Sequence, residues 1–314
     1  MYLTLLLIYL EIIIGVLISV AFVTLLERKI LGYIQLRKGP NKTGFMGLLQ
    51  PMSDGLKLFS KETFYIFDTN YFLYLLSPMF SMFSMLLLWI LLPYYVNFMS
   101  YHMQVMIIFC IMSTNVYSFM FSGWSSNCIY ALLGSIRSIA IAISYEVYMF
   151  FIIYGLFIFT ESFSIYDIIR LQSYCWFIVT LMPLGILFFI SLLAELNRTP
   201  FDFAEGESEL VSGFNIEYMS GSFSLFFIAE YGMILFNMYL YSIFFLGGNI
   251  YSLFFYLMFM LMVILVIWVR GAFPRWRYDL VMSSMWMRFL PVTMLYLLFV
   301  FGVKVFIIYL CNYT

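Results

Sequence analysis

Charge is the scarcest property of this 314-residue sequence, because only 10% of its residues are Asp, Glu, Lys or Arg while 65% are hydrophobic. A soluble globular domain carries about 25% charged residues, so this chain cannot cover itself with a water-compatible surface. A polytopic membrane protein is therefore predicted. The formal net charge of -1 excludes nucleic acid as a partner, since no basic face is available to neutralise phosphates.

Histidine and patterned cysteine are also scarce. The one histidine, His102, excludes a membrane cytochrome that ligates haem with paired histidines. The cysteines form no C-x-x-C motif and show no spacing suited to a zinc or iron–sulfur site. They are Cys110, Cys128, Cys175 and Cys311. A metal centre built from this chain is therefore not expected.

Long apolar runs are what the sequence has in abundance. About 20 apolar residues cross a bilayer as a helix, and eight uncharged runs reach that length. They are residues 3–26, 71–96, 103–122, 138–160, 174–194, 222–246, 250–269 and 289–311. The first run exceeds the roughly 7 to 15 apolar residues of a signal peptide, so it is interpreted as a mature span. The predicted fold is all-α, with one membrane domain over residues 1–314 and eight transmembrane helices.

Positive charge is distributed unevenly between the connections. Loops after the odd-numbered spans carry thirteen Lys and Arg residues, whereas the opposite loops carry only Arg170. Lysine and arginine mark the cytoplasm-equivalent side of a membrane. Both termini are therefore predicted to face the other compartment.

Residues 45–62 are too polar to cross the bilayer, yet their apolar side chains recur at helical spacing. These side chains are Phe45, Leu48, Leu49, Met52, Leu56 and Phe59. We predict an amphipathic helix lying at the membrane interface. Pro51 should kink this helix or end its first turns.

Ionisable residues within spans cost about 2.5 to 3.5 kcal/mol at the helix centre and usually line a cavity or meet a partner. Glu146 and Glu230 are such residues. They are either structural carboxyls satisfied by a neighbouring Ser or Tyr, or members of a proton relay.

Glu11 and Lys304 lie at a similar depth from the outer face, about 10 to 12 Å at about 1.5 Å per residue. They are predicted to neutralise each other, which requires the first and last spans to be neighbours.

The connection at residues 195–221 is acidic on the side where the other loops are basic. Its charged residues are Glu195, Asp202, Glu205, Glu207, Glu209 and Glu217 against Arg198. A solvated acidic loop is the simplest interpretation. However, Phe201 and Phe203 alternate with the acids, which favours a loop folded against apolar surface. Carboxylates held close together there titrate as a coupled proton-acceptor network.

Several longer motifs resemble those of subunit 1 of the mitochondrial NADH:ubiquinone oxidoreductase, respiratory complex I. They are LERKILGY (26–33), QLRKGPN (35–41), QPMSDGLK (50–57), GWSSN (123–127), SYE (144–146), AELNRTPFD (194–202), EGESELVSG (205–213) and RGAFPRWRYD (270–279). They cover the whole chain in order. The abundance of Phe, Tyr and Met is typical of an AT-rich organellar gene and resembles arthropod mitochondrial versions.

The resemblance implies a core membrane subunit of a proton-pumping enzyme in the mitochondrial inner membrane, inactive alone, with both termini in the intermembrane space. It implies that ubiquinone is the substrate and that this chain binds no redox centre. The implied partners are hydrophilic quinone-module subunits, neighbouring membrane-arm subunits and membrane lipid. The implied quinone-side residues are Arg28, Asp54, Phe227 and Arg277, and the implied proton path is Glu146, Glu195, Glu205, Glu207 and Glu230.

Two other functions remain open from the residues alone. Intramembrane acids are also typical of a proton-coupled secondary transporter, which would be expected to show an inverted repeat and broken helices in matching halves. We find neither in the sequence. A purely structural scaffold is the third possibility, but it leaves Glu146 and Glu230 unexplained.

Overall fold

The computed structural model describes residues 2–63, 67–94, 102–204, 206 and 210–313. This part of the chain is helical and contains no strand. The helices are α1 (Tyr2–Ile34), α2 (Gln50–Ser60), α3 (Tyr71–Ile90), α4 (Gln104–Ser125), α5 (Ile129–Thr160), α6 (Ile165–Gln172), α7 (Phe177–Thr180), α8 (Met182–Glu195), α9 (Ser220–Phe245), α10 (Leu253–Ala272), α11 (Tyr278–Ser284) and α12 (Leu290–Tyr313). A π-helical turn, Met285–Phe289, joins α11 to α12.

Seven helices in the described residues are long and apolar enough to cross a membrane. They are α1, α3, α4, α5, α9, α10 and the continuous run from α11 to α12. The fifth predicted span, residues 174–194, is instead divided at Leu181 into the short α7 and the 14-residue α8. Pro183 lies in the first turn of α8, where its missing N–H is tolerated. The all-α membrane fold is confirmed, with one span shorter than predicted.

The helix ends differ from the predicted limits of the apolar runs. Helix α1 continues through Glu27, Arg28 and Lys29 to Ile34, because Glu, Arg and Lys are good helix formers. At 33 residues and about 1.5 Å per residue it is about 50 Å long, which exceeds the roughly 30 Å hydrocarbon core. Its last turns therefore extend beyond the membrane core.

The predicted amphipathic helix is present, but it begins at Gln50, five residues later than predicted. Pro51 lies in its first turn and does not kink it. A 3₁₀ turn precedes the helix at Phe45–Gly47. Gly47 has φ +80°, and a Cβ there would lie 2.3 Å from the carbonyl oxygen of Pro40. The apolar side chains of α2, Leu56 and Phe59 among them, are largely exposed, as a helix lying on lipid requires.

Helix α9 forms the centre of the bundle and packs against α1, α2, α3 and α10. Helices α3 and α4 form one long seam, and α5 packs against α4, α8 and α12. The first and last helices therefore have different neighbours, since α12 lies against α5 and α8.

The predicted pair of Glu11 with Lys304 is wrong. The Lys304 ammonium instead lies 2.6 Å from the Glu161 carboxylate at the end of α5, and it also donates to the carbonyl oxygen of Ile158. The hydrogen bond that Lys304 donates to the Glu161 carboxylate, together with the positive charge of Lys304, lowers the pKa of Glu161. Depth along two helices does not determine which helices are neighbours, and here the partner of α12 is α5.

Candidate functional site

The candidate site begins at Glu195, the last residue of α8. Its carboxylate accepts a hydrogen bond of 3.1 Å from the side-chain amide of Asn237. Asn237 is fully buried on α9, seven residues after Glu230. Two helical turns separate the two residues, so they occupy the same face of α9. Helix α9 therefore directs both a carboxyl and an amide toward the end of α8.

Glu195 and Glu146 line one cavity of about 270 Å³ between α4, α5 and α8. Tyr145 shares this lining, as do the apolar side chains Met106, Phe109, Met112, Met149 and Phe150. Glu146 comes from the middle of α5, and Glu195 comes from the end of α8. The fold therefore brings together two acids that are 49 positions apart in the sequence.

A second, smaller cavity of about 30 Å³ also borders Glu195. Glu195 and Glu230 line it together with Ser81, Asn115 and Asn197. Glu195 thus borders both cavities, one with Glu146 and the other with Glu230. Glu205 and Glu207, the remaining members of the predicted path, lie outside the described residues.

A buried ion cluster lies near the C-terminal end of α1. The Glu27 carboxylate faces the guanidinium of Arg198 at 3.6 Å and forms a hydrogen-bonded salt bridge with Arg270. The guanidinium of Arg198 lies 4.7 Å from the ring centroid of Tyr231, and Tyr231 also hydrogen-bonds Glu27. Glu27 is only 4% exposed. One carboxylate therefore holds together α1, α9, α10 and the chain after α8.

Two predicted quinone-side residues are in direct contact. Arg28 donates to Asp54 at 2.6 Å, which ties α1 to the amphipathic α2. Gln50 also donates to Asp54, at 2.9 Å. This pair is partly open to solvent, in contrast to the neighbouring buried cluster at Glu27.

Phe227, the third predicted quinone-side residue, belongs to a row of rings on α9. Its ring centroid lies 4.4 Å from that of Phe223 and 6.4 Å from that of Tyr231. These three residues recur every four positions and so lie on one face. The row starts near α2, where a Cβ on Gly221 would contact Phe59, and ends at the Arg198 cluster.

Arg277, the fourth predicted quinone-side residue, pairs with Asp279 at 3.1 Å on its own connection, and both side chains are largely exposed. Among the described residues, no ion pair joins Arg277 to α1 or α2. Its neighbour Arg275 instead donates to Asp202 at 2.8 Å, and the ring of Phe201 packs edge-on against Trp276. The described part of the acidic connection after α8 is therefore folded against the basic connection after α10. Phe201 and Phe203 are buried in it, in agreement with the predicted packing against apolar surface.

The family model for NADH dehydrogenase matches residues 7–301. The chain therefore belongs to the NADH dehydrogenase family.

The chain is similar to curated members of this family over nearly its whole length. It is 52% identical to the NADH-ubiquinone oxidoreductase chain 1 of Aedes aegypti, over 94% of this chain and 95% of that relative. It is also 52% identical to chain 1 of Locusta migratoria, over 95% of both chains. The chain 1 of Lampetra fluviatilis is 46% identical over 89% of both.

Three residues of this NADH dehydrogenase family member lie in the site although the sequence did not predict them there: Glu27, Asn115 and Asn237. Glu27 adjoins Arg28 and Lys29, so it resembled a solvated boundary charge. The two asparagines are polar residues inside apolar runs, and such residues usually meet a polar partner. That signal was present in the sequence, but it did not identify the partner.

Proposed function

We propose that this chain is the membrane subunit of a mitochondrial NADH:ubiquinone oxidoreductase that lines the ubiquinone chamber and passes the charge change of quinone reduction into the membrane. The observation that carries the proposal is the position of Glu195, which borders one cavity with Glu146 and another with Glu230. In this proposal the path continues through Glu205 and Glu207. The chain forms one membrane domain over residues 1–314.

The quinone side of the proposal combines an apolar approach with a polar end. The exposed apolar face of α2 and the ring row Phe223, Phe227 and Tyr231 suit an isoprenoid tail and a flat ring. Arg28 and Asp54 stand at the junction of α1 and α2, where they can orient the quinone carbonyl oxygens. Arg277 acts from the neighbouring connection, on the surface that a hydrophilic partner subunit covers.

The chemistry needs protons near the chamber. Reduction of a quinone by two electrons takes up two protons, one at each carbonyl oxygen, and gives the quinol. The electrons arrive from a partner subunit, because this chain is proposed to bind no redox centre. Carboxyls that border shared cavities can exchange protons in sequence, and the protonation of each responds to the charge of its neighbour.

The compartment and partners follow from the same proposal. The chain lies in the mitochondrial inner membrane among other membrane-arm subunits, with both termini in the intermembrane space. The family match over residues 7–301 favours this function over the proton-coupled transporter that the sequence left open.

The test replaces Glu195 by Gln in the assembled enzyme, with Glu161→Gln as the matched control. Glu161 is a fully exposed acid paired with Lys304 beyond the end of α5. Because the proton step is lost, Glu195→Gln should lower NADH:quinone turnover about tenfold or more. NADH oxidation by an artificial acceptor, which bypasses the chamber, should be unchanged. The control should retain both activities.

Two outcomes would contradict the proposal. Full quinone turnover in Glu195→Gln would mean that this carboxyl is not on the path. Equal loss of both activities, with less assembled enzyme, would support the reading of Glu195 as a structural carboxyl.

A further inference from the structure

The small cavity lined by Glu195 and Glu230 also has uncharged polar residues in its lining. They include Ser81 on α3 and Asn115 on α4. Buried serines continue along the same seam on both helices: Ser77, Ser84, Ser118, Ser122 and Ser125. Uncharged polar side chains therefore meet the acids at one place in the membrane.

The amide of Asn115 lies beside two of these hydroxyls. Its Oδ1 lies 3.3 Å from Oγ of Ser84 and 3.3 Å from Oγ of Ser118, but each hydroxyl donates over a shorter distance to a backbone carbonyl oxygen, Ser84 to Ser81 at 2.9 Å and Ser118 to Asn115 at 2.6 Å. Because a hydroxyl has only one proton to donate, the amide of Asn115 keeps hydrogen-bonding capacity for an occupant of the cavity. Asn115 therefore brings a polar amide from the seam to the acid side.

Other residues of the lining offer acceptors. Oδ1 of Asn197 is buried and has no hydrogen-bond partner in the described part of the chain, and the carboxyls of Glu195 and Glu230 complete the lining. A cavity needs about 10 to 15 Å³ to hold one water, and the water needs two to four polar partners. At about 30 Å³, this cavity meets both requirements.

We propose that Asn115 and Ser81 hold a water molecule that carries the proton between Glu195 and Glu230. This inference rests on the proposed function and adds two positioning residues to it. One carboxylic acid gives its proton to the water oxygen, and the water releases another of its protons to the second carboxylate. One O–H bond forms on the water as another breaks, so the water is regenerated.

A competing explanation is that Ser81 and Asn115 only let α3 and α4 pack closely. Small and polar residues do serve this purpose between membrane helices. The two explanations differ in their response to substitutions that keep the volume and remove the hydrogen bonds. Packing tolerates such changes, whereas a water site does not.

The experiment uses the assembled enzyme in sealed vesicles. Asn115→Leu has Thr114→Val as its control, because the hydroxyl of Thr114 donates to the carbonyl oxygen of Ile111 in its own helix. Ser81→Ala has Ser242→Ala as its control, because Ser242 is fully buried and bonds to the carbonyl oxygen of Tyr239. The readouts are NADH:quinone turnover, its solvent deuterium isotope effect, artificial-acceptor activity and the amount of assembled enzyme.

Asn115→Leu should lower quinone turnover at least about fivefold and raise the solvent isotope effect, because the proton step becomes rate-limiting. Ser81→Ala should act in the same direction more weakly. Asn115→Ser, which keeps a polar group and leaves room for water, should recover turnover to within about twofold of the parent. The controls should match the parent enzyme in all four readouts.

Parent-like turnover and isotope effect in Asn115→Leu, alongside loss of turnover in Glu195→Gln, would overturn the water site and leave the proposed function intact. Parent-like turnover in Glu195→Gln would instead overturn the proposed function. If Asn115→Leu fails to assemble, a density map of the parent enzyme at a resolution that shows water molecules decides whether the cavity holds a water. Density within hydrogen-bond distance of Asn115 and Glu230 supports the proposal, and a dry cavity overturns it.

Discussion

The Glu27 carboxylate is buried and faces two guanidinium groups. Arg198 is 7% exposed, and Arg270 reaches the carboxylate from the end of α10. Removing one partner of a buried ion pair costs about 3 to 5 kcal/mol, because the remaining charge is left uncompensated. Glu27 should therefore matter more to stability than the charged residues that follow it.

We predict that Glu27→Gln lowers the stability of the assembled enzyme by about 3 kcal/mol or more, since two arginines lose their counter-charge. Asp279→Asn is the control, because its pair with Arg277 is solvent-exposed and should contribute less than about 1 kcal/mol. Thermal unfolding of the purified enzyme measures both. An equal loss of stability in Glu27→Gln and Asp279→Asn would show that burial does not strengthen the ion pairs of Glu27.

The same residue shows where prediction from the sequence stops. Glu146 and Glu230 stood out because they interrupt apolar runs, and the fold places both beside Glu195. Glu27 did not stand out, because Arg28 and Lys29 follow it directly. Its partner Arg270 lies 243 positions away, and no local pattern connects the two.

Among the helices, the sequence predicted membrane crossings better than helix ends. Hydropathy reports the thickness of the bilayer, whereas caps and proline determine where a helix begins and ends. Helix α1 therefore passes beyond its apolar run, and Pro183 marks the start of α8 after the break at Leu181. The partners of α12 were mispredicted for a related reason, because depth in the membrane contains no information about neighbours.

Helix α5 packs closely against the connection after α8 at Gly134. A Cβ on Gly134 would lie 3.1 Å from Cα of Gly213 and 3.2 Å from the carbonyl oxygen of Ala204. Both atoms belong to backbone, which yields less readily than a flexible side chain. A side chain at position 134 would therefore require this backbone to move by a few tenths of an ångström.

Gly134→Ala should destabilise the enzyme by about 1 to 3 kcal/mol through overpacking. Gly55→Ala on α2 provides the matched control, since a Cβ there meets nothing within 4 Å. That change should be neutral or stabilising by about 0.5 to 1 kcal/mol, because alanine loses less backbone entropy in a helix. Melting temperatures of both variants test this, and a stable Gly134→Ala would show that the contact can relax.

For the whole molecule, the orientation predicted from loop charge can be tested with native cysteines. Cys175 is exposed before α7, on the side with little positive charge, and Cys128 immediately precedes α5 on the positive side. A membrane-impermeant maleimide should label Cys175 in mitoplasts and leave Cys128 unlabelled until the membrane is opened. Loss of the label in Cys175→Ser would show that the maleimide reacts at Cys175. Labelling of Cys128 alone would mean that the chain is inserted the other way.

The position of Glu195 at the border of both cavities also affects how well the membrane holds back protons. A membrane that stores energy as a potential of 100 mV loses about 2.3 kcal/mol for each proton that leaks back. A continuous column of water along the acids would let protons flow back across the membrane without doing work. The two cavities are instead separate volumes that share one side chain, with Leu196, Phe226 and Met233 lining the smaller one. In the proposed route, a proton that moves between the two cavities meets the Glu195 carboxyl, because this side chain borders both of them.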